Sequence, residues 1–329
     1  MAEWYRCLSV EKSETVTTQP GIMVKCRYRV ICEATVVTHG LVHGFEATGV
    51  RPSFPQQHER VDLLNKVYTQ ADRVMDISKK FFLQPDELKQ PFTRKSFSSN
   101  VNHGWVSMET ERLNPRRPGD LKEAFNISSL RPDMKWPSSG AVAGFREIQT
   151  SFFQRCKELS LRVLRVMAHS LDLDPNVFLS AHRFIGTDEN GTTLRSLYYP
   201  PVESEKAKEG QVRCGEHSDY GSITLLFQSS EGLQVRARSG EFVSAPCIPG
   251  AILVNIADLM QRWTTDRFVS VLHRVLLPPV GDSSTRQSLA FFLQPDDEAL
   301  ITCCDGSNKY PPVTGGSYLM ERFSRSYAD

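Results

Sequence analysis

From Leu194 onward the sequence breaks into short β-rich runs separated by turns: "LRSLYYP", "SITLLFQ", "GLQVRA", "EFVSAPC", "GAILVNIAD", "SVLHRVLLP" and "RQSLAFFLQP". No other feature limits the fold as much. Many short strands at close spacing suggest a sandwich, a jelly roll or a barrel. Upstream the texture is different. Residues 57–83 place apolar groups at Leu64, Val67, Ala71, Val74 and Phe81, which is helical spacing with a polar opposite face. A polar, loop-like section runs from about residue 84 to 139. A second helix is then marked by Phe145, Ile148, Phe152, Cys156, Leu159, Val163 and Met167, and "LDLDPN" ends it because Pro175 cannot continue a helix. The adjacent Phe152 and Phe153 read as core.

The chain has 329 residues, enough for one large domain or two ordinary ones. Its 40% hydrophobic and 23% charged residues are those of a soluble globular protein. A net charge of +1 gives no reason to expect nucleic acid or a membrane held by bulk charge. No apolar stretch approaches a membrane span. The opening "MAEWYRCLSVEKSE" lacks a basic region followed by an apolar one. The eight cysteines are scattered, and adjacent Cys303 and Cys304 suit neither a disulfide framework nor a zinc knuckle. The expected compartment is the cytoplasm, with reduced thiols.

"RCGEHSDYGSITLLFQ" puts His217 and Asp219 two apart just before an apolar run. On a strand such residues project from the same face. His273, in "FVSVLHRVLLPP", lies on another expected strand, and a jelly roll brings distant strands together. Two imidazoles and one carboxylate closing on one point form a facial metal site with open positions, the arrangement used for non-haem iron(II). Downstream, Arg286 and Ser288 in "RQS" also share a strand face. A guanidinium fork with a hydroxyl beside it is suited to a carboxylate. A metal with open positions and a carboxylate clamp nearby imply a dicarboxylate cosubstrate.

The order H-x-D, distal H, R-x-S resembles the iron(II)- and 2-oxoglutarate-dependent dioxygenases, and within them the isopenicillin N synthase-like branch. Matching segments include "LYYPP" at Leu197, "GEHSDYGSITLLFQ" at Gly215, "GLQVRA" at Gly232, "LVNIADLMQRWTTDRFVSVLHRVLLPP" at Leu253 and "RQSLAFFLQPD" at Arg286, with "GDLKEAFNIS" at Gly119 upstream. The likeness covers roughly residues 61–327. It implies a double-stranded β-helix (jelly roll), mainly β with helices packed on one side. By the same resemblance His217, Asp219 and His273 bind Fe(2+), Arg286 and Ser288 hold the distal carboxylate of 2-oxoglutarate, and Tyr199 assists there. The activity implied is oxidation of a small organic substrate by O2, by hydroxylation, desaturation or ring closure, with ascorbate as a candidate reductant. The layout implied is a divergent N-terminal segment (1–55), a helical part (56–180) and the dioxygenase core with a C-terminal tail (181–329).

The chain departs from relatives in places. Leu197 stands where relatives often have asparagine, and Ala257 and Asp266 replace usual glycines. "GIMVKCRYRVICEATVVTHGLVHGFEATGV" matches neither N-terminal strand of the family. Two alternatives stay open: an iron oxidase of the same fold that does not use 2-oxoglutarate, and a non-catalytic binding protein on a decayed dioxygenase fold. The remaining histidines, His39, His43, His58, His103, His169 and His182, read as surface or satisfied groups. Cys214 and Cys247 read as packing groups. Three segments could select the substrate: "SSNVNHGWVSMETE", the loop "PVESEKAKEGQ", and the tail "SYLMERFSRSY", whose Leu319 and Phe323 have helical spacing. That apolar face either closes over the iron or simply docks on the jelly roll. Oligomeric state is not legible.

Overall fold

The structure is a computed structural model describing residues 4–5, 7–13, 27–31, 34–35, 55–94, 102–138 and 140–326. In chain order the elements are β1 (Trp4–Tyr5), β2 (Cys7–Ser13), β3 (Arg27–Ile31), β4 (Ala34–Thr35), α1 (Pro55–Phe82), α2 (Asp86–Lys89), β5 (Gly104–Val106), β6 (Glu123–Ile127), α3 (Phe145–Ser170), α4 (Asn176–Leu179) and β7 (Thr193–Tyr199). There follow β8 (Cys214–His217), β9 (Ile223–Gln228), β10 (Leu233–Arg236), β11 (Phe242–Ser244), β12 (Ile252–Ile256), α5 (Asp258–Trp263), β13 (His273–Val275), β14 (Arg286–Leu293), β15 (Leu300–Ile301), β16 (Val313–Thr314) and α6 (Gly315–Ser326).

Two antiparallel sheets make the jelly roll. The larger runs β3-β2-β12-β9-β14-β7-β6-β5 and the smaller β11-β10-β13-β8. The expected fold class, mainly β with flanking helices, is the one found. Of the divergent N-terminal segment, β2 pairs with β12 and β3 with β2. Most of "GIMVKCRYRVICEATVVTHGLVHGFEATGV" lies outside the described residues.

Strand alternation divides the large sheet into two faces. Leu225 and Phe227 of β9, Val254 of β12 and Leu289, Phe291 and Leu293 of β14 pack with Phe152, Phe153, Val163 and Val74 of the two long helices. Phe152 meets Phe227, and Phe153 meets Phe291, edge to face at centroid distances of 5.1 Å. Each such ring, fully buried, contributes about 1.5–3 kcal/mol by area removed from water. The expected helical stripe of Val67, Ala71, Val74 and Phe81 is buried as its spacing required. The opposite face of the sheet carries Leu197, Tyr199 and Ala290, which pack with Leu233, Val235 and Val275 of the small sheet. A cavity opens between these layers.

The section between the helices holds more structure than its polarity suggested. It contains α2, β5 and the wholly buried β6. β6 was hidden because Glu123 and Asn126 read as surface residues. In the fold Glu123 accepts hydrogen bonds from Lys89 Nζ and Trp105 Nε1, each at 2.7 Å, so its burial is compensated. No described helix is long and apolar enough to cross a membrane.

The substituted glycines have separate outcomes. Asp266 keeps the left-handed backbone, φ 64°, and its carboxylate accepts from Gln261 Nε2 and the Tyr310 hydroxyl. Aspartate tolerates that region better than most residues. Ala257 is extended, φ −105°, so no glycine is needed there.

Candidate functional site

β8 and β13 pair antiparallel with His217 directly opposite His273, which sets the two imidazoles side by side with centroids 4.3 Å apart. β8 ends at His217, so Asp219 sits beyond the strand and not on it as expected. The turn that follows is tightly packed. A Cβ on Gly221 would lie 2.3 Å from the Leu293 carbonyl oxygen, and the Ser222 amide donates to that same oxygen at 2.8 Å. This turn carries the Asp219 carboxylate back toward the imidazoles.

Hydrogen bonds fix every group at this corner. The Nδ1 atoms of His217 and His273 lie 2.8 Å from the Gly215 carbonyl and 3.1 Å from the Val271 carbonyl. Assigned from those bonds, Nδ1 carries the proton and Nε2 the lone pair. Asp219 Oδ2 accepts from Thr224 Oγ1 and Asn255 Nδ2, each at 2.7 Å. Its Oδ1 is left 3.6 Å from His273 Nε2 and 3.9 Å from His217 Nε2. Burial pushes the Asp219 carboxyl up, but His273, His217 and the two side-chain donors outweigh it and hold it below the usual range. Burial, then the neighbouring His217, lowers His273. Among the described residues these three side chains are the cluster able to hold a metal ion, with ligand atoms within 4.8 Å of one another. Two neutral imidazole nitrogens and one carboxylate oxygen match the donor chemistry of iron(II).

Arg286 and Ser288 stand two apart on β14, both 2% exposed, and line the same cavity as the triad. Tyr199 lies opposite Arg286 in the β7–β14 register, and the guanidinium sits 5.0 Å from the centre of its ring. Arg286 donates from Nε to the Glu231 carbonyl (3.1 Å), from Nη2 to Gln228 Oε1 (2.8 Å) and from Nη1 to Ser288 Oγ (3.4 Å). All three acceptors are neutral. A buried cation satisfied only by neutral groups favours the arrival of an anion. Leu197, which replaces the usual asparagine, pairs with Ser288 and adds an apolar wall there.

The rest of the cavity is partly polar. Asn126 of β6 faces Arg195 of β7 in the ladder. Glu111 binds Arg195 through both oxygens, at 3.0 and 2.7 Å, and Lys122 Nζ at 3.0 Å. From α6, Leu319 docks against Gly191, where a Cβ would approach it to 2.3 Å, while Phe323 lines the cavity 6.2 Å from the Tyr220 ring. Leu319 thus docks the tail helix on the jelly roll, while Phe323 forms part of the cavity wall. Arg322 fastens it, with Nη2 2.8 Å from Asp258 Oδ2 and 3.2 Å from Ser218 Oγ.

The sequence profile of the 2OG-Fe(II) oxygenase superfamily matches residues 190–295, the span that holds all six of these site residues. The proline hydroxylase buaE of Petromyces alliaceus is 30% identical over 272 residues, 76% of this chain and 83% of the relative. The chain belongs to the 2OG-Fe(II) oxygenase superfamily. The 2-oxoglutarate-dependent dioxygenase gloF of Glarea lozoyensis is 30% identical over 288 residues, 78% of this chain and 85% of the relative. Among solved structures, a full-length Neurospora crassa protein crystallised in complex with alpha-KG superposes with a TM-score of 0.68 at 33% identity, covering 77% of this chain and 82% of that one. This superfamily member is thus an oxidoreductase, a 2-oxoglutarate-dependent iron(II) dioxygenase with 2-oxoglutarate and O2 as cosubstrates.

Sequence reasoning missed Thr224 and Asn255, which orient Asp219. A signal existed: each is a polar residue at an inward position of an otherwise apolar strand, in "SITLLFQ" and "GAILVNIAD".

Proposed function

We propose that His217, Asp219 and His273 hold the iron(II) of this dioxygenase and that Arg286 with Ser288 grips the distal carboxylate of 2-oxoglutarate. The observation that carries the reading is the convergence of His217 Nε2 and His273 Nε2 on Asp219 Oδ1, with every other polar atom of the three side chains already engaged. Iron(II), when bound, supplies activation of dioxygen coupled to oxidative decarboxylation of 2-oxoglutarate to succinate and carbon dioxide.

The protein's own groups do the positioning. Gly215 and Val271 hold the two imidazoles in the ligating tautomer. Thr224 and Asn255 hold the carboxylate ionised and aimed. Arg286 offers a desolvated guanidinium at the depth of the cavity, and Tyr199 lends it an aromatic face. Ser288 adds its hydroxyl. Leu233, Val235 and Val275 keep water from the cosubstrate. Ordered motif spacing supports placement in the isopenicillin N synthase-like branch and the three-part layout 1–55, 56–180 and 181–329. The cytoplasm is the compartment this reading assigns.

The substrate is a small organic molecule oxidised at a C–H bond. Asn126 lines the cavity and gives its wall a polar side chain that can meet a polar group of the substrate. Anaerobic titration of the protein with iron(II) and then 2-oxoglutarate tests the site. The expected result is one equivalent of each bound, with a visible charge-transfer band that needs both. Failure of 2-oxoglutarate to bind the iron-loaded protein would overturn the cosubstrate assignment.

A further inference from the structure

Arg213 is the residue before β8 and is 4% exposed. Its Nη2 donates to two backbone carbonyls, Ser284 at 2.7 Å and Pro200 at 3.1 Å. Pro200 follows Tyr199, the last residue of β7. Ser284 stands two residues before Arg286, the first residue of β14. Tyr199 and Arg286 face each other at the end of the β7–β14 ladder. Ladders open most readily at their ends. One side chain thus ties the strand that ends in His217 to the frayable ends of both strands that carry the clamp.

The charge of Arg213 is as unusual as its position. It forms no ion pair among the described residues, and both of its acceptors are neutral. Its Nε is buried with no hydrogen-bond partner among those residues. Burial and then the positive charge of Arg286 disfavour its protonated form, while Tyr199 and Asp282 favour it. Two buried guanidiniums near one another, each hydrogen-bonded only to neutral acceptors, disfavour the folded state until an anion arrives. A simple structural staple has no need of that second charge.

We propose that Arg213 is a positioning residue for the cosubstrate: by holding Pro200 and Ser284 it aims Arg286 at the distal carboxylate of 2-oxoglutarate, and its own charge adds to the pull on that dianion. This rests on the reading of Arg286 as the clamp. Arg213 touches no reacting atom, so its loss acts on affinity and not on the chemical step.

The test uses iron(II)-loaded protein without oxygen and follows binding of two ligands by calorimetry. One is 2-oxoglutarate. The other is pyruvate, which shares the metal-binding 2-oxo acid end and lacks the distal carboxylate. Arg213→Gln is expected to weaken 2-oxoglutarate by about tenfold, the order of one charge-assisted contact, and to leave pyruvate unchanged. In turnover, KM for 2-oxoglutarate rises with kcat near native. Arg213→Lys keeps the charge on a side chain whose nitrogen reaches less far than Nη2, so it gives a smaller loss of the same selectivity; it also serves if the glutamine variant does not fold. Native 2-oxoglutarate affinity in Arg213→Lys and Arg213→Gln, or equal losses for both ligands, would overturn the proposal. Arg286→Gln separates the two readings. If it too binds 2-oxoglutarate normally, the clamp assignment fails. If it binds weakly while the Arg213 variants bind normally, only the role of Arg213 fails.

Discussion

The two ends of the cavity are built differently. The proposed metal corner sits on the short strands β8 and β13 and a turn, and its two imidazoles are partly exposed. The proposed clamp sits on the eight-residue strand β14, flanked by β7 and β9 on both sides, and its Arg286 is 2% exposed. At the corner, orientation comes from hydrogen bonds to individual atoms: two carbonyls for the imidazoles, a hydroxyl and an amide for the carboxylate. At the clamp it comes from ladder register, which aligns Tyr199 with Arg286 and Leu197 with Ser288. The corner should therefore be sensitive to the loss of single polar contacts. The clamp, at a ladder end tied by Arg213 to Pro200 and Ser284, should hold its geometry while that tie is intact and respond to changes in charge shape.

The largest effect is expected at the corner. Asp219→Ala removes the only negative ligand of the proposed triad and should abolish iron binding and turnover. The fold should survive, since the site opens at the cavity and lies outside the helix-side core. Iron content and circular dichroism measure both. Native coupled turnover in this variant would mean that the metal lies elsewhere.

Next come the residues behind the ligand. Thr224→Val or Asn255→Leu leaves the triad complete but frees Asp219 Oδ2. A loss of roughly 10–100-fold in iron affinity is expected, the usual effect of removing a partner of a metal ligand. Competition with a chelator reads it. An unchanged affinity would show that the turn alone aims the carboxylate, and the contrast between the two ends would then disappear.

The clamp should answer more narrowly. Arg286→Lys keeps the positive charge and loses the two-pronged geometry, so KM for 2-oxoglutarate should rise about tenfold or more. Iron affinity should stay the same. A joint loss of both would show that the two ends are mechanically coupled.

The smallest effect is expected at the mouth. Deleting residues 317–329 removes Phe323 from the cavity wall and Arg322 from Ser218 and Asp258. Succinate formed per substrate oxidised should rise, because water reaches the reactive centre more easily. An unchanged ratio in a folded truncation would leave α6 as a docked helix only.

Fold class was legible in the chain because strand period and turn chemistry are local. So were both long helices, whose buried stripes fall where the spacing puts them. The six proposed site residues stand out in the sequence only as an ordered set, since an isolated H-x-D pair carries little meaning. β6 was not legible: Glu123 is buried by partners, Lys89 and Trp105, that come from other elements. Nor was the displacement of Asp219 off its strand, which depends on Gly221 packing against a carbonyl of β14.

What the sequence determined by itself was the supply of groups: two imidazoles, a carboxylate, a guanidinium with a hydroxyl, and alternating strands to carry them. What only the tertiary structure decided was which atom of each group stays open. Whether Nε2 or Nδ1 faces the site depends on the carbonyls of Gly215 and Val271. Which carboxylate oxygen is spent depends on Thr224 and Asn255. That the buried Arg286 finds neutral acceptors, and no acid, depends on the register of β14 between β7 and β9. A hydrogen-bond partner is a property of position in space, and only the packed sheets fix that.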